Sequence, residues 1–133
     1  MTNSNPTSKP VVFRSIEIGT GVSVTLGEPL SAEAMGLMIQ IGPQHFRVKP
    51  GAFGDAKQID IFLGVGGAVQ KMDFLYAAGT NYEEMVANFE GQMGPPTSQH
   101  GGVTEWKDDS TDFTLVNSAS GIHSTLRDLA PTA

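Results

Sequence analysis

The sequence predicts an α+β fold in which an antiparallel β-sheet carries two helices on one face. Two segments, 30–41 and 82–93, place apolar residues at steps of four, three and four, the spacing of one helix face. Short runs of alternating apolar and polar residues surround both segments, and turn-forming sequences separate the runs. The predicted element order is ββαβββαβββ.

The two predicted helices share the way they end. Gly42-Pro43 follows the first helix and Gly94-Pro95 follows the second. Glycine adopts the left-handed conformation found after helix C-termini, and proline cannot continue the helical hydrogen bonding. Thr80 and Glu83 have capping-box spacing, which predicts that the second helix starts at Thr80.

The strands are predicted from runs of alternating apolar and polar residues and from the turn-forming sequences between these runs. A glycine turn at 19–21 joins the runs 12–18 and 22–26 into a hairpin. Asp60 lies between Ile59 and Ile61, so it is predicted to face away from the core or to lie at an edge. The other predicted strands are a short one around Phe46 and Val48, a pair at 59–63 and 72–76 joined at 65–67, and three at 104–106, 113–115 and 122–126.

An offset of 52 residues superposes one half of the sequence on the other. It aligns Gly42 with Gly94, Ile61 with Phe113 and Leu63 with Leu115. We therefore predict an internal duplication, with repeats at 28–77 and 80–129. Two such units would give a pseudo-symmetric sheet with both helices on one face and the other face free for solvent or a partner.

Length and composition narrow the class of protein. The chain of 133 residues suits one domain, predicted at 11–129 after a polar, disordered arm at 1–10. The absence of cysteine excludes disulfides, thiolate nucleophiles and zinc–thiolate sites. The polar start and the lack of a long apolar run predict no membrane span and a cytoplasmic location, with a removed leader as the alternative.

The net charge of -6 is concentrated in the second half of the chain. From Met72 onward, two basic residues oppose nine acidic ones. An acidic surface disfavours nucleic acid and favours another protein, one with a basic surface, although such surfaces also serve solubility alone.

Six residues are the candidates for a binding surface. Glu105, Asp108, Asp109 and Asp112 put four carboxylates around one predicted turn. Their spacing lacks the pattern of an EF-hand, so we interpret them as an acidic contact patch or a solvated turn and predict no metal site. Trp106 and Phe53 are aromatic candidates that either anchor a partner or belong to the core, and the core is the favoured interpretation for Trp106.

No motif specifies catalysis or a cofactor. Gly64-Val65-Gly66-Gly67 leads into a strand rather than a helix and has no following Lys-Ser/Thr, so a hairpin turn is favoured over a phosphate loop. His45, His100 and His123 lie in separate segments, and Ser118-Ala119-Ser120-Gly121 is typical of a turn rather than a nucleophile elbow.

The pattern from Tyr82 through Phe89 to Gly94-Pro95, followed by Thr104-Glu105-Trp106 and Phe113-Thr114-Leu115, resembles small bacterial α+β modules. Modules of this type include immunity proteins and, in tandem, proteins like the β-lactamase inhibitor protein. The resemblance implies helices on an antiparallel sheet and protein binding through the exposed sheet face. The disulfides of the inhibitor are absent here, so no specific target carries over.

The favoured hypothesis is a non-enzymatic protein-binding module, such as an inhibitor, immunity protein or adaptor. The alternative is a small-molecule binding domain or small enzyme with a pocket between the helices and a curved sheet, using His45, His123 or Tyr76 as polar groups. A third hypothesis is an assembly subunit tethered by the N-terminal arm.

Overall fold

The computed structural model describes residues 10–49, 56–77 and 79–129, and it has the predicted α+β class. An eight-stranded antiparallel sheet forms the body of the protein, and a two-stranded hairpin precedes it. Within the described ranges, no helix is long and apolar enough to cross a bilayer.

Ten strands and two α-helices follow one another along the described chain. The first part is the hairpin of β1 (Ser15–Gly19) and β2 (Val22–Thr25). The second part is α1 (Ala32–Gly36), followed by β3 (Met38–Gly42), β4 (His45–Val48), β5 (Ala56–Leu63) and β6 (Val69–Tyr76). The third part is α2 (Tyr82–Met93), followed by β7 (Ser98–His100), β8 (Val103–Lys107), β9 (Thr111–Ser118) and β10 (Gly121–Asp128).

The strand order of the large sheet is β3-β4-β5-β6-β10-β9-β8-β7. Each group of four strands after a helix is a meander, and the two meanders meet at the antiparallel pair of β6 and β10. In that pair Met72 lies opposite Leu126, and Asp73 lies opposite Thr125. The order is therefore the same from either edge: the first strand of each meander is at an edge and the last is at the centre.

Alternation divides the large sheet into two faces with different exposure. On β6, Met72 and Phe74 are buried, whereas Asp73 and Leu75 are partly exposed. The buried set continues on β5, β8, β9 and β10 with Ile59, Ile61, Trp106, Phe113, Leu115, Ile122 and Leu126. We call this side the core face and the opposite side the open face.

α2 covers part of the core face, and it spans the segment 82–93 whose apolar spacing predicts a helix. Met85, Val86 and Met93 are buried, and the Phe89 ring lies 4.7 Å from that of Phe113. Gly94 ends the helix at a φ of 99°, a conformation that glycine adopts without strain.

The N-cap of α2 is Asn81, so the prediction of Thr80 is wrong by one residue. The Asn81 side chain accepts a hydrogen bond from the Glu84 backbone N–H at 2.9 Å. The Thr80 hydroxyl instead donates to the Ala77 carbonyl. Asn81, one residue after Thr80, therefore caps the helix in place of the predicted capping box.

The first predicted helix is mostly wrong. α1 is five residues long, and the second part of segment 30–41 forms β3. Ser31 caps α1 by accepting from the Ala34 backbone N–H, and Ala34 is buried in the core. Gly42-Pro43 lies at the end of β3 and in the turn to β4, rather than after a helix. β-branched residues favour extended backbone, so Ile39 and Ile41 suit a strand paired with β4.

The strand predictions for β4 to β6 and for β8 to β10 are confirmed in position, but two edge strands were not predicted. β3 falls inside the predicted first helix, and β7 consists of polar residues without apolar alternation. Each meander therefore has one more strand than predicted, and the extra strand is the edge strand of its half.

The segment before β1 packs against the end of α2. The Val11 backbone N–H donates to the Met93 carbonyl at 3.1 Å, and Val12 and Pro10 are buried. Residues 1–9 of the predicted arm lie outside the described residues, and Pro10 at its boundary belongs to the packed structure. The Phe13 ring lies 5.1 Å from that of Phe113, which ties this segment to the aromatic core.

The Asn81→Ala variant should lower the free energy of unfolding by about 1 kcal/mol, because it leaves the first turn of α2 without its cap. The Thr80→Ala variant is the matched control and should have a smaller effect, since Thr80 does not cap the helix. Urea denaturation of both variants checks this. A larger loss in Thr80→Ala would contradict the assignment of the cap.

Candidate functional site

The structure separates the four carboxylates that the sequence groups around one turn. Asp108 and Asp109 lie in the turn between β8 and β9, whereas Glu105 and Asp112 lie on the open face. Phe53, the loop aromatic candidate, lies outside the described residues. In the part of the chain that the structure describes, no group of three or more metal-ligating side chains is placed to hold an ion.

Trp106 belongs to the core and is removed from the candidate binding surface. Its side chain is 0% exposed, and its Nε1–H donates to the Gly94 carbonyl at 3.0 Å. The indole ring also packs against Phe89 and Phe113. The favoured interpretation of Trp106 as a core residue is thus confirmed, and an outward contact role is excluded by burial.

Asp108 stabilises the fold by holding two segments together. Its carboxylate accepts from the Val12 backbone N–H at 2.9 Å and from the N–H groups of Ser110 and Thr111. Burial opposes ionisation of Asp108, but these backbone donors outweigh it, and the net result is a lowered pKa. The role of Asp108 is therefore structural, while Asp109 beside it is exposed at the turn.

Glu105 and Asp112 form a close carboxyl pair on the open face. The hydrogen bond to Asp112 is the main cause that raises the pKa of Glu105, followed by burial and by the negative charge of Asp112. Arg127 donates to Asp112 at 3.2 Å, and the Asp112 side chain is only 7% exposed. Arg127 and Glu105 therefore both hydrogen-bond to the same carboxylate, that of Asp112.

One line of cross-strand neighbours on the open face carries mostly positive charge, and we call it the cationic row. The His45 ring stacks on Phe62 at 4.4 Å, and the Lys71 ammonium lies 4.4 Å from the centre of the same ring. Such a cation–π contact fixes the direction of the lysine side chain. Across the strands, the cationic row consists of His45, Phe62, Lys71, Arg127, Asp112 and Lys107.

The adjacent line on the open face carries mostly negative charge, and we call it the acidic row. Asp60 accepts from Arg47 at 2.8 Å, from His45 at 2.9 Å and from Gln58 at 3.0 Å. Burial would raise the pKa of Asp60, but these donors outweigh it and lower the pKa. Across the strands, the acidic row consists of Arg47, Asp60, Asp73, Thr125, Thr114 and Glu105.

A depression with a volume of about 390 Å³ lies at the centre of the open face. Asp60, Asp73, His123 and Thr125 line it, and the Thr125 hydroxyl donates to Asp73 at 2.9 Å. The Asp73 side chain remains 38% exposed. This carboxylate is therefore both oriented by a neighbour and accessible to an outside group.

The sheet separates the imidazoles from the buried hydroxyl pairs. His45 and His123 lie on the open face, whereas the pairs Tyr76–Ser124 and Tyr82–Thr104 include buried core-face residues. β4 and β10 are three strand steps apart, about 14 Å, so the two histidines do not converge. The open face thus presents charged side chains in fixed positions, which suits recognition. Its two histidines lie on the other side of the sheet from the buried hydroxyl pairs.

Comparison of the chain with protein-family models, with curated protein sequences and with solved structures finds no match.

The residues of the open face that sequence reasoning missed come mainly from β4, β6 and β10. The placement of Asp60 away from the core is confirmed, and the alternation of Ile59 and Ile61 was its signal. Arg47, Lys71 and Thr125 join the rows only because β6 pairs with β10 and β5 pairs with β4. Nothing local in the sequence specifies those long-range registers.

The Asp108→Ala variant should lower the free energy of unfolding at neutral pH by about 1–3 kcal/mol, since it leaves backbone donors without their acceptor. The folded-state pKa of Asp108 is lowered, so its contribution is present above the ordinary aspartate value of 3.8 and is lost as the pH falls through the folded-state pKa. Urea denaturation at neutral and acidic pH checks both points. The Asp109→Ala control should lose less; equal losses, or a difference independent of pH, would contradict this role.

The Glu105→Gln variant should melt at a higher temperature than the wild type at pH 7, because an amide can donate to Asp112 without a second negative charge. The folded-state pKa of Glu105 is raised, so the wild type loses stability as the pH rises through that value. The advantage of the variant should therefore shrink in acid. Thermal melts across this range test it, and a variant less stable at pH 7 would refute it.

Proposed function

We propose that this protein is a non-enzymatic binding module, an inhibitor, immunity protein or adaptor, that recognises another protein through the open face. The observation that carries the proposal is a sheet face whose polar side chains are held in place by one another. Arg47, His45 and Gln58 converge on Asp60, and Arg127 fixes Asp112. A surface ordered before binding loses less side-chain entropy when a partner docks.

The charge arrangement suggests the chemistry of the partner. The acidic row offers Asp73 and Glu105 to basic side chains of the partner, and the cationic row beside it offers Lys71 and Lys107 to acidic ones. Adjacent stripes of opposite sign fix the orientation of a partner better than a uniform charge does. The basic surface expected of the partner would therefore be a stripe that lies over the acidic row.

The edge strand β3 extends the proposed surface. Ile39 is 48% exposed and Ile41 is 47% exposed, and among the described strands β3 pairs only with β4. Ile39 lies opposite Arg47, so its side chain is on the open face beside the acidic row. Exposed aliphatic side chains next to ordered charges are typical of the mixed composition of protein interfaces.

We also propose that the sheet arose by internal duplication, with each unit made of one helix and one meander. The matching strand orders of the two halves support this, as does the spacing of β6 and β10, which start 52 residues apart at Val69 and Gly121. Ala34 of α1 and Val86 of α2 belong to one core cluster, which supports two helices on the same face. Such a plan leaves the opposite face of both units available together.

The Leu75→Arg variant tests the proposed surface, because Leu75 lies at the centre of the open face and lines the depression. Ala87→Arg, on the exposed side of α2, is the matched control. A protein retained by the immobilised wild type should also be retained by the control, and Leu75→Arg should weaken its measured affinity by about tenfold or more. The affinity should also fall as the salt concentration rises.

Thermal melts must first show that both variants fold. Equal affinity of the partner for the two variants, or a wild type that retains no protein above the level of blank beads, would refute the proposal.

A further inference from the structure

A cleft opens on the core face where α2 and β1 fail to meet. Its floor is formed by Ile59, Phe74 and Tyr76, none more than 8% exposed. Met85 and Phe89 of α2 form one wall and Ile16 of β1 forms part of the other. The cleft has a volume of about 290 Å³, which is close to the lower end of the roughly 300–1,000 Å³ typical of small-molecule sites.

The short first helix accounts for the space. α2 covers its part of the core face with twelve residues, whereas α1 has only five. The remaining area is covered by the β1–β2 hairpin, which contributes Ile16, Ile18 and Val24 to the core. A hairpin and a helix present surfaces of different shape, so the boundary between them is not filled by side chains as a close-packed interior would be.

The side chains of the cleft define the chemistry of its occupant. The rings of Phe74, Tyr76 and Phe89 offer aromatic surface, and the Tyr76 hydroxyl is engaged with Ser124 at 2.8 Å. Met85 adds a polarisable thioether that suits an aromatic ring. The interior of the cleft therefore favours a flat aromatic body with one or two fused rings.

The polar groups of the cleft favour a positive charge at the solvent end of that body. Among the ten described residues that line the cleft, Glu17 is the one charged residue, and Asn88 and Gln92 add amide groups that donate and accept. Glu17, Glu28, Glu33, Glu83, Glu84 and Glu90 are all exposed on the helices, the hairpin and their connection. The negative charge of Glu17 favours a cation over an anion at the cleft.

We propose that this cleft binds a small aromatic amine, with the ring on Phe74, Tyr76 and Phe89 and the ammonium group near Glu17. The site lies on the opposite side of the sheet from the open face, so it is independent of the proposed partner surface. The alternative predicted from the sequence is a pocket between the helices and the sheet with His45, His123 or Tyr76 as polar groups. Of these three residues Tyr76 lines the cleft, whereas His45 and His123 lie on the open face.

Tryptamine and indole-3-propionate test this proposal, because they share a ring and differ in the sign of their charge. Amide chemical shifts and calorimetry at pH 7 should show saturable tryptamine binding that perturbs β5, β6 and α2, and affinity about five-fold or more above that of the acid. Glu17→Gln should remove most of this preference. Glu90→Gln, which changes an exposed acid outside the lining, should retain it.

A second pair of variants tests the place of binding without disturbing the core. Asn88→Trp should obstruct the cleft and abolish tryptamine binding, whereas Ala87→Trp on the exposed side of α2 should preserve it. The proposal is overturned if neither probe gives a saturable response, if the acid binds as well as the amine, or if Asn88→Trp binds normally.

Discussion

The two-residue period of the large sheet is the constraint on which the rest of the structure depends. Every strand directs alternate side chains to opposite faces, so the register of β6 on β10 decides at once what is buried and what is displayed. Leu126 opposite Met72 completes the core face, and Thr125 opposite Asp73 completes the acidic row. A slip of one residue would exchange apolar and charged side chains between the faces.

The two faces give the molecule two kinds of chemistry. The charged side chains of the open face are close to balance, and hydrogen bonds between neighbours such as Arg47 and Asp60 hold them in place. The opposite side has an aromatic cleft with Glu17 in its lining. The acidity of the second half of the sequence is thus divided by the fold: Asp73 and Asp112 have cationic partners on the open face, while Glu83 and Glu84 are exposed on α2.

Sequence patterns predicted those parts of the fold that depend on residues close together in the chain. The spacing and glycine stop of Tyr82–Met93 located α2, and alternation located the paired strands β5, β6, β9 and β10. The same helical spacing misled at 30–41, because the second part of this segment forms β3 and pairs with β4 instead. In a short segment, the apolar spacing of one helix face also fits a strand that is buried on one side. Pairing with a neighbouring strand therefore decided which structure forms.

The candidate site was predictable only in part, because its rows are assembled from strands distant in sequence. Glu105 and Asp112 were identified since they lie in one hairpin, whereas Asp108 proved to hold the fold together and Trp106 to fill the core. Since the chain has no cysteine, thiol labelling of Ser124→Cys and Thr125→Cys measures the division of the faces directly. Ser124 is 1% exposed and Thr125 is partly exposed, so the native protein should label rapidly at 125 and at 124 only after denaturation. Rapid native labelling at 124, or protection of both positions, would contradict this account.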